Sequence, residues 1–296
     1  MSRPDTLVQA ARTAEEAGFD SVWAGEHLVL PDPQVPPSPM APQDPALESL
    51  LALTWAAAHT TTIRLATGIV ILPQRNPVLL AKQLATLDVL SGGRLTLGVG
   101  AGYLEPEFRA VGANFAERGA VTDEYVAAFK TLWTEAKPQI DGKYVHYDRL
   151  LLEPKPTQKP HPPIWVGGES GPALRRTARI GDAWYPIGTN PQNPLDSLTR
   201  FKTQAARLRK MTVEAGRDPK AVGLSLRVTV FGETAPPEAG DGEHRLFAGP
   251  PALVAADIRA LRDIGVGCID FGFGGSTADE VLTAMQKFRA EVLPLV

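Results

Sequence analysis

IRLATGIVILPQRNPVLLAKQLATLDVLSGGRLTLGVGAGY, residues 63–103, reads as strand, loop, helix and strand. Ile63 to Leu72 is an apolar, β-branched run of strand length. Asn76 and Pro77 then provide an N-cap and a first-turn proline. Leu80, Leu84 and Leu87 share one helical face, and Gly92-Gly93 ends the helix. Arg94 to Val99 forms a second strand that runs into Gly98-Val99-Gly100-Ala101-Gly102. A βαβ unit with glycines where its strands finish is how an α/β barrel or a doubly wound sheet builds a ligand site.

Working outward, a helix end, a glycine and a short aromatic strand recur at 14–25, 179–188 and 262–273. The remaining apolar runs complete a set of strands near 21–25, 63–71, 94–99, 163–167, 182–187, 222–231 and 268–273. Helices are expected near 5–17, 45–59, 76–91, 119–135, 171–180, 195–215, 250–264 and 277–292. Strands alternating with helices predict an α/β fold with parallel strands. Seven strands are one short of the eight in a closed barrel, and the chain starts in an amphipathic helix. The expectation is a TIM barrel whose first strand is missing from this chain, the alternative being an open sheet.

The 296 residues suit one barrel domain spanning 1–296. Loop insertions are expected near 29–45, 137–162 and 232–248. The first holds seven prolines between 31 and 45 and excludes a helix or central strand there. The third is polar, rich in Pro and Gly, and expected to be flexible. Basic and acidic residues number 30 and 33 and form no basic block, which gives nucleic acid no footprint. Cys268 is the single cysteine, so an internal disulfide and a cysteine metal cluster are excluded. With no signal-peptide pattern and no apolar run near the ~20 residues of a membrane span, a cytoplasmic protein is expected.

Four places are able to carry chemistry. Glu26 and His27 follow the strand SVWA at its carboxyl end, where barrels keep catalytic groups, and histidine exchanges protons near neutral pH. Thr67-Gly68-Ile69 interrupts an apolar strand, which signals a bulge, either structural or pressed against a flat ring. Gly98 to Gly102 has GxGxG spacing, a weak dinucleotide signal but a fair sign of close backbone approach. In the fourth, strand 163–167 runs into Gly167-Gly168-Glu169-Ser170 and a helix start that favours phosphate. Arg175, Arg176 and Arg179 lie further along that helix, as ligands or as a solvated face. No P-loop, GxSxG elbow, HExxH or paired metal-ligand spacing occurs, against NTPase, serine hydrolase and zinc protease readings.

These stretches resemble the bacterial-luciferase-like family of flavin- and deazaflavin-dependent oxidoreductases, nearest its coenzyme F-420 branch. The carriers are AEEAGFDSVWAGEHLVLP, ATGIVILPQRNPVLLAKQLATLDVLSGGRLTLGVGAGY, EPKPTQKPHPPIWVGGES and ARIGDAWYPIG. The resemblance implies a TIM barrel with the cofactor ring at the carboxyl-end mouth. It also implies a non-prolyl cis peptide at Gly68-Ile69 behind the ring, with Thr67, Gly102 and Tyr103 close by. Glu26 and His27 match the family's acid–histidine pair, with His27 the proton donor or acceptor. Gly167, Gly168, Glu169 and Ser170 match the phosphate turn, and Trp184 and Pro186 the next strand end. Arg175 and Arg176 are then available to the acidic tail of coenzyme F-420. One departure stands out: some F-420-dependent dehydrogenases carry a glutamate where this chain has Tyr103, with Glu105 two residues on.

The expected function is hydride transfer between coenzyme F-420 and a small organic substrate, without metal, membrane or nucleic acid, in a homodimer. FMN with oxygen, in a monooxygenase, is the alternative cofactor reading. A barrel subunit without catalysis is the second alternative.

Overall fold

The computed structural model describes residues 3–275 and 277–296. They divide into two compact units, one made of the residues up to Arg12 with Asp20–Ile164, the other of Thr13–Phe19 with the residues from Trp165 onward. The chain opens with α1 (Pro4–Glu16) and β1 (Ser21–Ala24), followed by α2 (Ser49–Ala57), β2 (Arg64–Thr67) and β3 (Val70–Ile71). Next come α3 (Pro77–Leu90), β4 (Leu95–Gly100), α4 (Glu105–Ala110), α5 (Arg118–Thr134) and a small hairpin, β5 (Ile140–Asp141) and β6 (His146–Tyr147).

In the first unit, β1 pairs in parallel with β2, and β2 and β3 both pair in parallel with β4. The strand expected over 63–71 is therefore two strands, separated at Gly68-Ile69. The Asn76 side chain accepts from the Val78 and Leu79 N–H groups, and Pro77 follows it, which starts α3 as its sequence predicts. Leu80, Leu84, Leu97, Val99, Phe129 and Trp133 are buried in the core. Burial of each such side chain contributes about 1.5–3 kcal/mol. The indole N–H of Trp133 donates to the Ala81 carbonyl at 3.0 Å, tying α5 to α3. Within the insertion at 137–162, the Glu124 carboxylate accepts from the N–H groups of Lys143, Tyr144 and Val145, which fixes the β5–β6 turn.

The second unit follows β7 (Ile164–Gly167) with α6 (Gly171–Ile180), β8 (Ala183–Tyr185) and α7 (Leu198–Glu214). It ends with β9 (Gly223–Val228), α8 (Pro251–Asp263), β10 (Val266–Phe271) and α9 (Ala278–Glu291). Strands β7 to β10 pair in parallel in that order. Trp184, Leu224, Leu226 and Val228 pack into one core with Leu174, Phe201, Leu208, Val254 and Leu261.

Residues 232–248 are folded rather than loose. Gly232 donates to Phe247, Leu246 to Asp196 and Arg245 to Pro237, while Ala235, Ala239, Leu246 and Phe247 are buried. Asp257 of α8 accepts from the Phe247 N–H at 2.6 Å and lies 3.0 Å from His244. Composition predicted flexibility, but a few apolar residues and distant carboxylates hold the segment.

Candidate active site

The turn after β1 sends its two polar side chains into different networks. Glu26 is buried: its Oε2 accepts from the Ile71 N–H at 2.6 Å, and its Oε1 from Ser49 Oγ at 3.3 Å and Arg75 Nε at 3.0 Å. Arg75 bridges onward to Glu48 at 2.5 Å. Burial raises the Glu26 carboxyl above its ordinary value, against the opposing pull of Arg75 and the Ile71 N–H. Glu26, which the resemblance matches to an acid–histidine pair, faces Arg75 rather than His27, and its hydrogen bonds join the β1 turn to the chain after β3.

His27 finds its acid elsewhere. Its Nδ1 lies 3.2 Å from Oε1 of Glu107, and the same oxygen accepts the Leu28 N–H at 3.1 Å. Glu107 projects from α4 and is 2 % exposed, while the His27 side chain keeps 14 % of its surface. A carboxylate only accepts, so it selects the tautomer with the proton on Nδ1 and leaves Nε2 to exchange one. Tyr103 stands edge-on to His27 at 6.4 Å between ring centroids. Burial, followed by the charge of Glu107, raises its phenol above the ordinary value and keeps it protonated. The sequence offered no local signal for Glu107, which lies 80 residues from His27 in a short helix.

The Gly68-Ile69 peptide is cis, as the resemblance implies. Thr67 is fully buried and donates to the Gly98 carbonyl at 2.7 Å. Gly68 and Ile69 keep part of their surface. The glycines of β4 answer to this bulge: a Cβ at Gly98 would lie 2.0 Å from the Thr67 carbonyl oxygen, and one at Gly100 2.0 Å from Ile69 Cδ1. Gly102, expected at the cofactor, has φ +81° and presses against Ile71 and Phe108. The GxGxG run thus accommodates the neighbouring strand.

In the second unit, Gly168 takes φ +104° and Ser170 caps α6 by accepting from the Ala173 N–H. Pro172 has no N–H, so Gly171 is the first-turn donor left by the cap. The Ser170 hydroxyl proton also stays available, and these donors fit a phosphate. The other residues expected here differ in their surroundings. Glu169 is buried, accepting from Ile187 N–H and Asn190 Nδ2, each at 2.6 Å. Trp184 is fully buried, stacks on Phe201 and donates to the Gly168 carbonyl at 2.9 Å. Pro186 is buried and its carbonyl accepts from the Arg227 N–H. Arg175 is exposed whereas Arg176 is buried, so they do not form one basic face.

A cluster that the sequence reading missed lies on β8, β9 and β10. The Tyr185 hydroxyl donates to Asp270 Oδ2 at 2.5 Å, and Arg227 Nη1 donates to the same oxygen at 2.7 Å. The signal was a charged residue within each of the apolar strands SLRV and CIDF.

Among the described residues, no group of three or more His, Cys, Asp or Glu is placed to hold a metal, and no helix is long and apolar enough to cross a membrane. Residues 1–248 match the family profile described as luciferase-like monooxygenase. An FMNH2-dependent dimethylsulfone monooxygenase of Pseudomonas putida is 30% identical over 262 residues, covering 75% of this chain and 71% of that one. Among solved structures, a monooxygenase from Streptomyces bottropensis superposes with a TM-score of 0.77 at 24% identity, covering 98% of this chain and 93% of that one. An F-420-dependent secondary alcohol dehydrogenase superposes with 0.73 at 20% identity, covering 99% and 95%. These likenesses show the fold, the α/β TIM barrel of the luciferase-like type.

Proposed function

The chain belongs to the luciferase-like monooxygenase family of oxidoreductases, and from that premise we propose that it moves a hydride between coenzyme F-420 and a small organic substrate. The observation that carries this reading is the His27–Glu107 pair. When bound, the deazaflavin supplies the hydride chemistry and the protein supplies orientation and a proton. His27 holds or accepts that proton at Nε2. Glu107 keeps Nδ1 protonated and the ring in place, so hydroxyl and carbonyl forms of a substrate are both served. Gly68 and Ile69, both half-buried, would lie against the flat ring. Within the second unit, the Gly171 N–H and the Ser170 hydroxyl, beside the turn at Gly168, suit a phosphate.

The second reading uses reduced FMN and oxygen. The 30% identical dimethylsulfone monooxygenase favours it, and a phosphate turn serves either cofactor. The non-catalytic barrel has no support in the family match, and is set aside.

The test is a titration of the full chain with F-420 and, separately, with FMN, followed by tryptophan fluorescence. Selective F-420 binding, retained in His27→Asn while turnover is lost, is the expected outcome. Selective FMN binding would replace this reading with oxygenation.

A further inference from the structure

We infer that Arg227 is a recognition point for the acid group of an organic acid, held ready by Asp270 and Tyr185 on one face of the strands of the second unit. Strand β9 alternates: Leu224, Leu226 and Val228 enter the helix-packed core, and Arg227 points to the opposite face. Register places Arg227 directly across from Asp270. Asp270 and Tyr185 are 8 % and 4 % exposed, whereas the Arg227 side chain is 29 % exposed.

Among the described residues, the protein engages a single nitrogen of this guanidinium. Nη1 donates to Asp270 Oδ2 at 2.7 Å and lies 3.2 Å from the Tyr185 hydroxyl. Among the described residues, Nε and Nη2 have no protein acceptor. Those two N–H groups form one edge of the fork, parallel and spaced to match the two oxygens of a carboxylate. Anchoring Nη1 fixes the plane of the group, so little freedom is lost when a ligand takes the open edge. Trp165, whose ring centroid is 6.4 Å from that of Tyr185, gives the organic part an aromatic wall.

Charge sharpens the expected behaviour. Burial and the Asp270 carboxylate push the Tyr185 phenol well above its ordinary value, so the cluster holds one positive and one negative charge. Attraction for an acid then comes from two directed donors more than from net charge, and salt weakens it only modestly. A purely structural ion pair would show no preference between an acid and its ester.

That the acid is a substrate rests on the oxidoreductase reading; its binding does not. The experiment is NMR of the full chain carrying 15N-arginine, titrated with hexanoate and phenylacetate and with their methyl esters. The Arg227 Nε–H resonance is identified by its loss in Arg227→Lys. A saturable shift of that resonance, with the acid bound about tenfold or more tightly than its ester, is expected from hydrogen bonds to a charged group. Arg227→Lys should remove most of that preference. Equal response to acid and ester, or no response to either acid, overturns the inference. If Arg227→Lys does not fold, the Nε–H resonance is assigned in the native protein and the acid–ester comparison decides alone. Failure of the F-420 titration would remove the proposed reaction and leave this acid preference standing.

Discussion

The two units handle polar chemistry in different ways. In the first, the strands press together: the glycines of β4 admit Thr67 and Ile69, and the charged groups gather in the turns beyond the strands. There Glu26 faces Arg75 while His27 faces Glu107. In the second, charged side chains rise from the strands themselves, with Arg227 and Asp270 opposite each other in register. The first arrangement depends on the absence of side chains, and the second on their alternation. The first should therefore fail when atoms are added, and the second when polarity is removed.

The largest effect is expected from Gly98→Ala. Its new Cβ would stand 2.0 Å from the Thr67 carbonyl oxygen, a backbone atom that cannot turn away. Overpacking against backbone should destabilise by about 3 kcal/mol or more. Gly267→Ala meets open space and should stay within about 0.5 kcal/mol of the parent. Urea unfolding of both variants reads the difference directly, and a stable Gly98→Ala would contradict the close approach of β2 and β4.

The next effect separates the two acids near His27. Arg75→Met leaves Glu26 buried without its guanidinium, at a cost of about 3 kcal/mol, because the carboxyl, already raised by burial, can take up a proton. Glu107→Gln keeps an oxygen for the Leu28 N–H, so its cost should be nearer 1–2 kcal/mol, roughly that of one weakened charged hydrogen bond. Its main effect should be on the tautomer of His27, because an amide can donate to Nδ1 as well as accept from it. Nitrogen shifts of labelled His27 measure that directly. An unchanged tautomer in Glu107→Gln would remove Glu107 as the positioning group, whatever its effect on stability.

What was legible follows from range. Asn76-Pro77, Ser170 and the strand–helix alternation act over a few residues, and each produced the element its chemistry implies. The cis peptide at Gly68-Ile69 was implied by the family resemblance, and the glycines opposite it have their reason in packing. The resemblance implies an acid–histidine pair of Glu26 and His27, whereas the ion-pair partner of Glu26 is Arg75, 49 residues away and beyond the reach of any local pattern. Trp184 and Tyr185 show the same difficulty at closer quarters. One residue of displacement along β8 sends the indole into the core and the phenol to the opposite face. Placing the aromatic pair in a strand was straightforward, but deciding which ring faced inward required the register of β7 and β9.

The smallest effect concerns Glu169, the acid of the second unit that stands closest to the role of Glu26 in the first. Burial raises its carboxyl above the ordinary 4.5, although Ile187 and Asn190 donate to the ionised form and pull the other way. The folded chain then keeps this proton at pH values where the unfolded chain has released it. Its contribution to stability is fully present below the ordinary value and is lost as pH rises through the raised folded value. The loss amounts to about 1.4 kcal/mol for each unit of that rise. Glu169→Gln cannot ionise, so its stability should fall less than the parent's between about pH 4 and about pH 7. Glu26, raised in the same direction, leaves a residual slope in the variant. Parallel urea-unfolding curves for variant and parent across that range would mean that the two donors outweigh burial. Glu169 would then be a carboxylate at every pH where the protein works, and the two units would differ in the one acid property they are expected to share.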